Sequence, residues 1–313
     1  MILVTGANGQ IGQVLTKELV RKYGADSVLA TDITKLNDHQ DHFEFLDILN
    51  KNRLYEIVDD YQITEVYHLA AILSANGEWN PKKTWNINLN GLLTMLTMAV
   101  EKNIEKVFFP STIAVFGKTT PRVNTPQHCA LLPETVYGMS KATGEDWCNY
   151  YHKRYGLDVR SLRYPGIIGY QSLPGGGTTD YAVEVFYSAL KGENYTCFLD
   201  KDTRLPMMYM EDAIRATTEL MEADKKDLTI RSSYNLAAIS FTPEEIVQEI
   251  QKHIPDFKVT YEPDFRQEIA ASWTESIDDS YARKDWNWNH EFELSNMVED
   301  MLNKVDITKM DSE

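Results

Sequence analysis

Tyr137 and Lys141 stand four residues apart in the run Tyr137-Gly-Met-Ser-Lys141. That spacing puts both side chains on one face of a helix, about one turn from each other. An ammonium at that range stabilises phenolate over phenol, so the tyrosine pKa is expected to fall from roughly 10 toward working pH. A tyrosine tuned in this way can take a proton from an alcohol or return one to a ketone. Many solvated helix faces carry the same pair, so its meaning depends on what the rest of the chain brings to it.

The chain of 313 residues is 43% hydrophobic and 25% charged. It can bury a large core as one domain or as a domain with a smaller companion. A net charge of -16 argues against nucleic acid or an anionic membrane as partner, because either would repel so acidic a surface. The three cysteines, Cys129, Cys148 and Cys197, form no CxxC pair, and the seven histidines show neither HxxxH nor HExxH spacing. A disulfide framework and a metal site therefore have no visible support, and a reducing compartment fits best. Met1-Ile-Leu-Val-Thr5 reads directly as a buried strand, without a signal peptide, transit peptide or membrane-spanning run. The cytosol is the expected location.

Ile2 to Thr5 leads into Thr5-Gly6-Ala-Asn8-Gly9-Gln10-Ile11-Gly12, and a helical pattern runs from there to Tyr23-Gly24. The next strand, Ser27 to Asp32, ends in an acid. Gly6 permits a tight turn, Gly9 lets the backbone approach a pyrophosphate, and Gly12 lets the helix pack close to the strand. The helix N-terminus adds free N–H groups and partial positive charge. Asp32, twenty residues past Gly12, would bond a ribose 2′-hydroxyl and repel a 2′-phosphate, which favours NAD over NADP.

Alternation continues with a strand at Phe43 to Leu46. Asp47-Ile48 at its end could reach an adenine edge, and Asp47 reads equally well as a helix N-cap. Glu65 to Ala70 is a fourth strand that passes into Ala71-Ile-Leu-Ser74. A helix is expected from about Pro81 to Lys102, then a strand at Lys106 to Pro110. Ser111 and Thr112 follow it, two hydroxyls where open α/β sheets bind ligands. The helix carrying Tyr137 and Lys141 runs to Tyr155-Gly156, and Asp158 to Arg163 is a sixth strand. This order implies a doubly wound parallel α/β sheet, a Rossmann-type NAD-binding fold. Residues 1–165 read as the NAD-binding domain. Residues 166–313 read as a smaller substrate-binding lid region with some segments returning to the first. In it, Thr178 or Thr179 is the expected N-cap of a helix opened by a Gly/Thr-rich loop.

With these features in hand, the chain resembles the extended short-chain dehydrogenases/reductases, the branch that includes nucleotide-sugar epimerases. Thr5-Gly6-x-x-Gly9-x-x-Gly12 is similar to that branch's cofactor loop and Tyr137-x-x-x-Lys141 to its catalytic motif. Leu162-Arg-Tyr-Pro-Gly-Ile-Ile-Gly169, Gly177-Thr-Thr-Asp-Tyr-Ala182, Leu205-Pro-Met-Met-Tyr-Met210, Ala271-Ser-Trp273 and Ser276-Ile-Asp-Asp279 look specifically like the short-chain-type L-threonine 3-dehydrogenases. Thr274 departs from the proline expected there.

The resemblance implies NAD-dependent oxidation of the β-hydroxyl of L-threonine to 2-amino-3-oxobutyrate. Tyr137 would act as base, Lys141 as its activator and Thr112, aligned with the family's catalytic serine or threonine, as their partner. The cofactor-binding set implied is Gly6, Asn8, Gly9, Gln10, Ile11, Gly12, Asp32, Asp47, Ile48, Leu69, Ala70, Ala71, Tyr137, Lys141 and Ile167. Ser74, Ser111, Thr112, Tyr137, Thr178, Thr179 and Trp273 are the implied substrate contacts, with Trp273 equally readable as packing. A homodimer through the 81–102 and 137–155 helices is expected by analogy, with Ala142 and Gly144 permitting close approach. The alternative reading is an NAD-dependent nucleotide-sugar epimerase or dehydratase, which Arg204 supports slightly because such enzymes often carry a phosphate-contacting arginine there. A non-catalytic NAD sensor is the reading from another class.

Overall fold

Short runs buried on both faces, such as Ile2–Thr5 and Asp158–Tyr164, form strands, and stretches whose apolar residues recur about every 3.6 form the helices between them. The computed structural model describes residues 1–34, 42–175 and 177–308. Its first half runs β1 (Ile2–Thr5), α1 (Gln10–Tyr23), β2 (Val28–Asp32), β3 (Phe43–Phe45), α2 (Lys51–Asp60), β4 (Glu65–His68), α3 (Ser74–Trp79), α4 (Pro81–Trp85), α5 (Gly91–Glu101), β5 (Lys106–Thr112), α6 (Val136–Tyr155) and β6 (Asp158–Tyr164). Then come β7 (Gly166–Ile168), α7 (Tyr181–Lys191), β8 (Tyr195–Cys197), β9 (Leu205–Tyr209), α8 (Met210–Glu222), β10 (Tyr234–Asn235) and β11 (Ile239–Phe241). The last elements are α9 (Pro243–Gln251), β12 (Val259–Tyr261), α10 (Phe265–Ala271), α11 (Ser280–Trp286) and α12 (Leu294–Lys304).

Seven strands form a parallel sheet in the order β10-β6-β5-β4-β1-β2-β3. Apolar faces of α2, α5 and α6 close one side around Leu54, Leu92 and Leu96. Helices α1 and α8 close the other around Leu15, Leu19 and Leu220. A third core, with Phe186, Leu199, Phe241 and Met297, lies among the later elements beside two small sheets, β11-β9-β7 and β12-β8. Strand order reverses between β1 and β4, and open α/β sheets bind ligands in the crevice outside the strand ends at such a point.

Three local expectations are corrected. The helix expected from Pro81 to Lys102 is interrupted by a π-helical turn over 86–90. There the buried Asn88 accepts from the Ile72 N–H (2.8 Å) and donates to the Ile72 carbonyl (3.0 Å). That pins the loop after β4, and π-helical turns recur near functional sites. Helix α2 is capped not by Asp47 but by Asn50, whose side chain accepts from the Arg53 N–H at 3.2 Å. Neither Thr178 nor Thr179 caps α7. Asp180 occupies that position, and its carboxylate accepts from the Gly177 N–H at 2.8 Å.

Candidate active site

The glycine loop between β1 and α1 is held tight by its surroundings. Gly6 has φ +70°, and a Cβ there would lie 2.7 Å from the Ala70 nitrogen. A Cβ on Gly12 would lie 2.2 Å from the Gly6 carbonyl oxygen. Helix α1 starts at Gly9 with no side-chain cap and no acid in its first turn. Its first N–H groups and partial positive charge therefore suit an anion. At the end of β2, Asp32 accepts from the backbone N–H groups of Asn8 (3.0 Å) and Ile33 (2.7 Å). The carboxylate is thus fixed beside the loop with lone pairs left for ribose hydroxyls. The Asn8 side chain is bonded to Thr34. A bare helix N-terminus, glycines that admit no Cβ and an oriented carboxylate fit a dinucleotide.

The proton-transfer residues meet across β5 and α6. Strand β5 runs two residues beyond its expected end, so Ser111 and Thr112 pair with Arg163 and Tyr164 of β6. Thr135 caps α6 by accepting from the Gly138 N–H at 3.1 Å, which sets the phase of Tyr137 and Lys141. The Thr112 hydroxyl, which accepts from the Ala114 N–H at 3.2 Å, is close enough to the Tyr137 phenol to favour its ionised form. Lys141 is 4% exposed and donates to the Pro110 carbonyl at 2.7 Å. Its nitrogen lies 5.8 Å from the Tyr137 ring centre and 4.5 Å from that of Phe109.

The expected drop in the tyrosine pKa does not occur. Burial pushes Tyr137 up to about 12 while the Thr112 hydroxyl works the other way, and burial pushes Lys141 down to about 7. Desolvation disfavours both charged forms, and the ammonium gives its hydrogen bond to the Pro110 carbonyl, so it can act on the phenol only through its charge. His68, which sequence reasoning missed, is buried next to Thr5, its Nδ1 3.0 Å from the Thr5 hydroxyl. Burial, helped by the charge of Lys141, brings it down to about 3, so it stays neutral.

A cleft of about 240 Å³ opens above these groups. It brings together Gly6, Gly9, Gln10, Ile11, Gly12, Leu69, Ala71 and Ile167 with Ser74, Ser111, Thr112, Tyr137, Lys141, Thr178, Thr179 and Trp273. Asn8, Asp32 and Ala70 flank the glycine loop outside the lining. Asp47 is exposed and accepts from the Leu49 N–H, and Ile48 is buried against Gly91; neither reaches the cleft. Ser111 lines it, but its hydroxyl donates to Glu145 at 2.6 Å. Thr178 is 1% exposed and its hydroxyl has no hydrogen-bond partner among the described residues. Lys141 is the single cation and Asp180 the single carboxylate among the described lining residues. Arg204 lies outside, bonded to the Ser240 carbonyl (2.8 Å) and Glu245 (2.5 Å). Gly144 does not face outward either, because a Cβ there would meet Phe109 at 2.7 Å.

The sequence model of the NAD dependent epimerase/dehydratase family matches residues 2–237. The chain belongs to that family. Within it, the mitochondrial L-threonine 3-dehydrogenase of Bos taurus is 48% identical over 306 residues, 96% of this chain and 82% of the bovine protein. The holo form of the GalE-like L-threonine dehydrogenase of Cupriavidus necator superposes with a TM-score of 0.96 at 50% identity, over 97% of this chain and 99% of that one. A monomeric L-threonine 3-dehydrogenase from a metagenome superposes at 0.95 with 47% identity over the whole of both chains. The family carries the expected doubly wound fold and its NAD dependence. No helix among the described residues is long and apolar enough to cross a membrane. None of their His, Cys, Asp and Glu side chains group in threes or more to hold a metal ion.

Proposed function

We propose that this chain oxidises the β-hydroxyl of L-threonine to 2-amino-3-oxobutyrate with NAD. The observation that carries the reading is the pairing, in one small cleft, of the Thr112–Tyr137–Lys141 set with the unpartnered, buried hydroxyl of Thr178. The glycine loop, the α1 N-terminus and Asp32 would hold the dinucleotide, which supplies a hydride acceptor when bound. Tyr137 takes the hydroxyl proton, and Thr112 fixes the phenol and the substrate oxygen. The Lys141 charge favours phenolate. Thr178, Thr179 and Ser74 offer hydroxyls to the amino acid's carboxylate, and Asp180 places a negative charge at the same end of the cleft as its ammonium. Trp273, buried at the same end, bounds the pocket.

A nucleotide-sugar substrate would need cations for its diphosphate. Lys141 is buried under the cleft floor and Arg204 is committed to Glu245, so that alternative has little to hold its phosphates. The test is NADH formation across hydroxy amino acids and UDP-sugars. L-threonine should saturate the enzyme, with no turnover of any sugar nucleotide; the reverse result sinks the proposal. Two copies pairing through the 81–102 segment (α4, the π-helical turn and α5) and α6 belong to the same reading. Exposed Met139, Tyr150 and Tyr155 on α6 support it, and the mass in solution tests it against the monomeric relative. The three free cysteines suit the cytosol or another reducing compartment.

A further inference from the structure

Helical spacing carries the Tyr137 and Lys141 face of α6 one turn further, to Glu145. Glu145 is 1% exposed and Arg163, across from it on β6, is 4% exposed. Arg163 grips the carboxylate as a fork, Nη2 to Oε2 at 2.7 Å and Nε to Oε1 at 2.9 Å. A buried ion pair is a weak source of stability, since well-packed apolar residues of similar volume commonly do as well or better. What this pair does have is geometry. The remaining capacity of Glu145 Oε1 accepts the Ser111 hydroxyl at 2.6 Å, and Ser111 stands directly opposite Arg163 in the β5–β6 register. Two successive residues of β5 are therefore tied to α6, Pro110 by Lys141 and Ser111 by Glu145, and the next, Thr112, has its hydroxyl beside Tyr137.

The other arm of Arg163 donates to Asn235 Oδ1 at 2.9 Å. Asn235 in turn donates to the carbonyls of Thr125 (3.0 Å) and Asp278 (3.1 Å). The segment so held begins a few residues after Trp273, the aromatic wall of the cleft.

We infer that the Glu145–Arg163 pair is a positioning device, which holds Ser111 so that Thr112 meets Tyr137 and ties that contact, through Asn235, to the segment behind Trp273. Ser111 is then a positioning residue rather than a substrate ligand. The inference rests on the proposed dehydrogenase reading. A misplacement of about 1 Å at the reacting groups can cost on the order of a hundredfold in rate, so small shifts of β5 are enough to matter.

The experiment compares the wild-type protein with Ser111→Ala and Glu145→Gln. Wild-type turnover of L-threonine comes first, and its absence defeats the dehydrogenase reading before any variant is judged. With turnover established, Ser111→Ala should lower kcat about tenfold or more. KM for L-threonine should change less than about threefold, with NADH affinity and melting temperature near wild type. Glu145→Gln keeps an oxygen for Ser111 and should fall between the two in kcat. Two results overturn the inference: kcat of Ser111→Ala within about twofold of wild type, or a raised KM at unchanged kcat, which makes Ser111 a substrate contact. Should Glu145→Gln not fold, Ser111→Ala decides alone, since it removes one hydroxyl and leaves the ion pair in place.

Discussion

Lys141→Met separates what the ammonium does for Tyr137 from what it does for ligands. In the protein the pair loses its first proton near the Lys141 value of about 7, far below the Tyr137 value of about 12. The reactive form, ammonium beside phenolate, holds the same number of protons as neutral lysine beside phenol. Its share of that state is therefore independent of pH. The two values leave it about five decades down. The Lys141 nitrogen lies 5.8 Å from the Tyr137 ring centre; opposite charges about 6 Å apart attract by about 3 kcal/mol at an effective dielectric of about 20, which would return about two decades. About one molecule in a thousand is then reactive, and kcat/KM should rise with pH through about 7 and level off until direct ionisation of Tyr137 adds to it at about pH 9.

Without Lys141 the phenolate share is about one in a hundred thousand at pH 7 and grows tenfold per pH unit. The ionisation part of the defect should shrink from about fiftyfold at pH 7 to about twofold at pH 9, where wild type also gains directly ionised Tyr137. Any loss of ligand contacts multiplies both by one constant factor. The assay is initial NADH formation for both proteins across that range, at matched saturation. A ratio that stays constant with pH refutes the reasoning, because it would leave Lys141 no part in the tyrosine's ionisation.

Gly12→Ala should abolish measurable NADH binding by fluorescence titration, because its Cβ would lie 2.2 Å from the Gly6 carbonyl and the loop must open to relieve that contact; near wild-type affinity would contradict the packing. Thr178→Val removes a buried hydroxyl that has no partner among the described residues, so the melting temperature should hold or rise. The same change should raise KM for L-threonine about tenfold to a hundredfold, as for a lost hydrogen bond to a charged group, and an unchanged KM removes Thr178 from the substrate site.

Much of this protein is legible in its residue order. The glycine loop, Asp32 and the strict alternation of apolar strands with amphipathic helices are local signals, and each acts within one or two elements. They determine the parallel sheet and place Tyr137 and Lys141 on one face of α6, while the strand order that opens the crevice between β1 and β4 comes from the tertiary pairing. Helix ends were less secure, because Asn50 and Asp180 take over capping positions through contacts a few residues away. The π-helical turn at 86–90 depends on Asn88 reaching Ile72, sixteen residues back, which no local pattern specifies. Short strands such as β7, β9 and β11 hold together only by pairing across long separations in sequence.

The tyrosine and lysine show most plainly where the limit lies. Spacing alone predicts an activated phenolate, since it counts the charge and not the solvent. Only the packing of α6 on β5 decided that Lys141 is stripped of water and Tyr137 half-buried, that Lys141 bonds the Pro110 carbonyl and that Tyr137 begins as a phenol. Proximity along a helix is a property of the chain. Desolvation belongs to whatever the fold places around it.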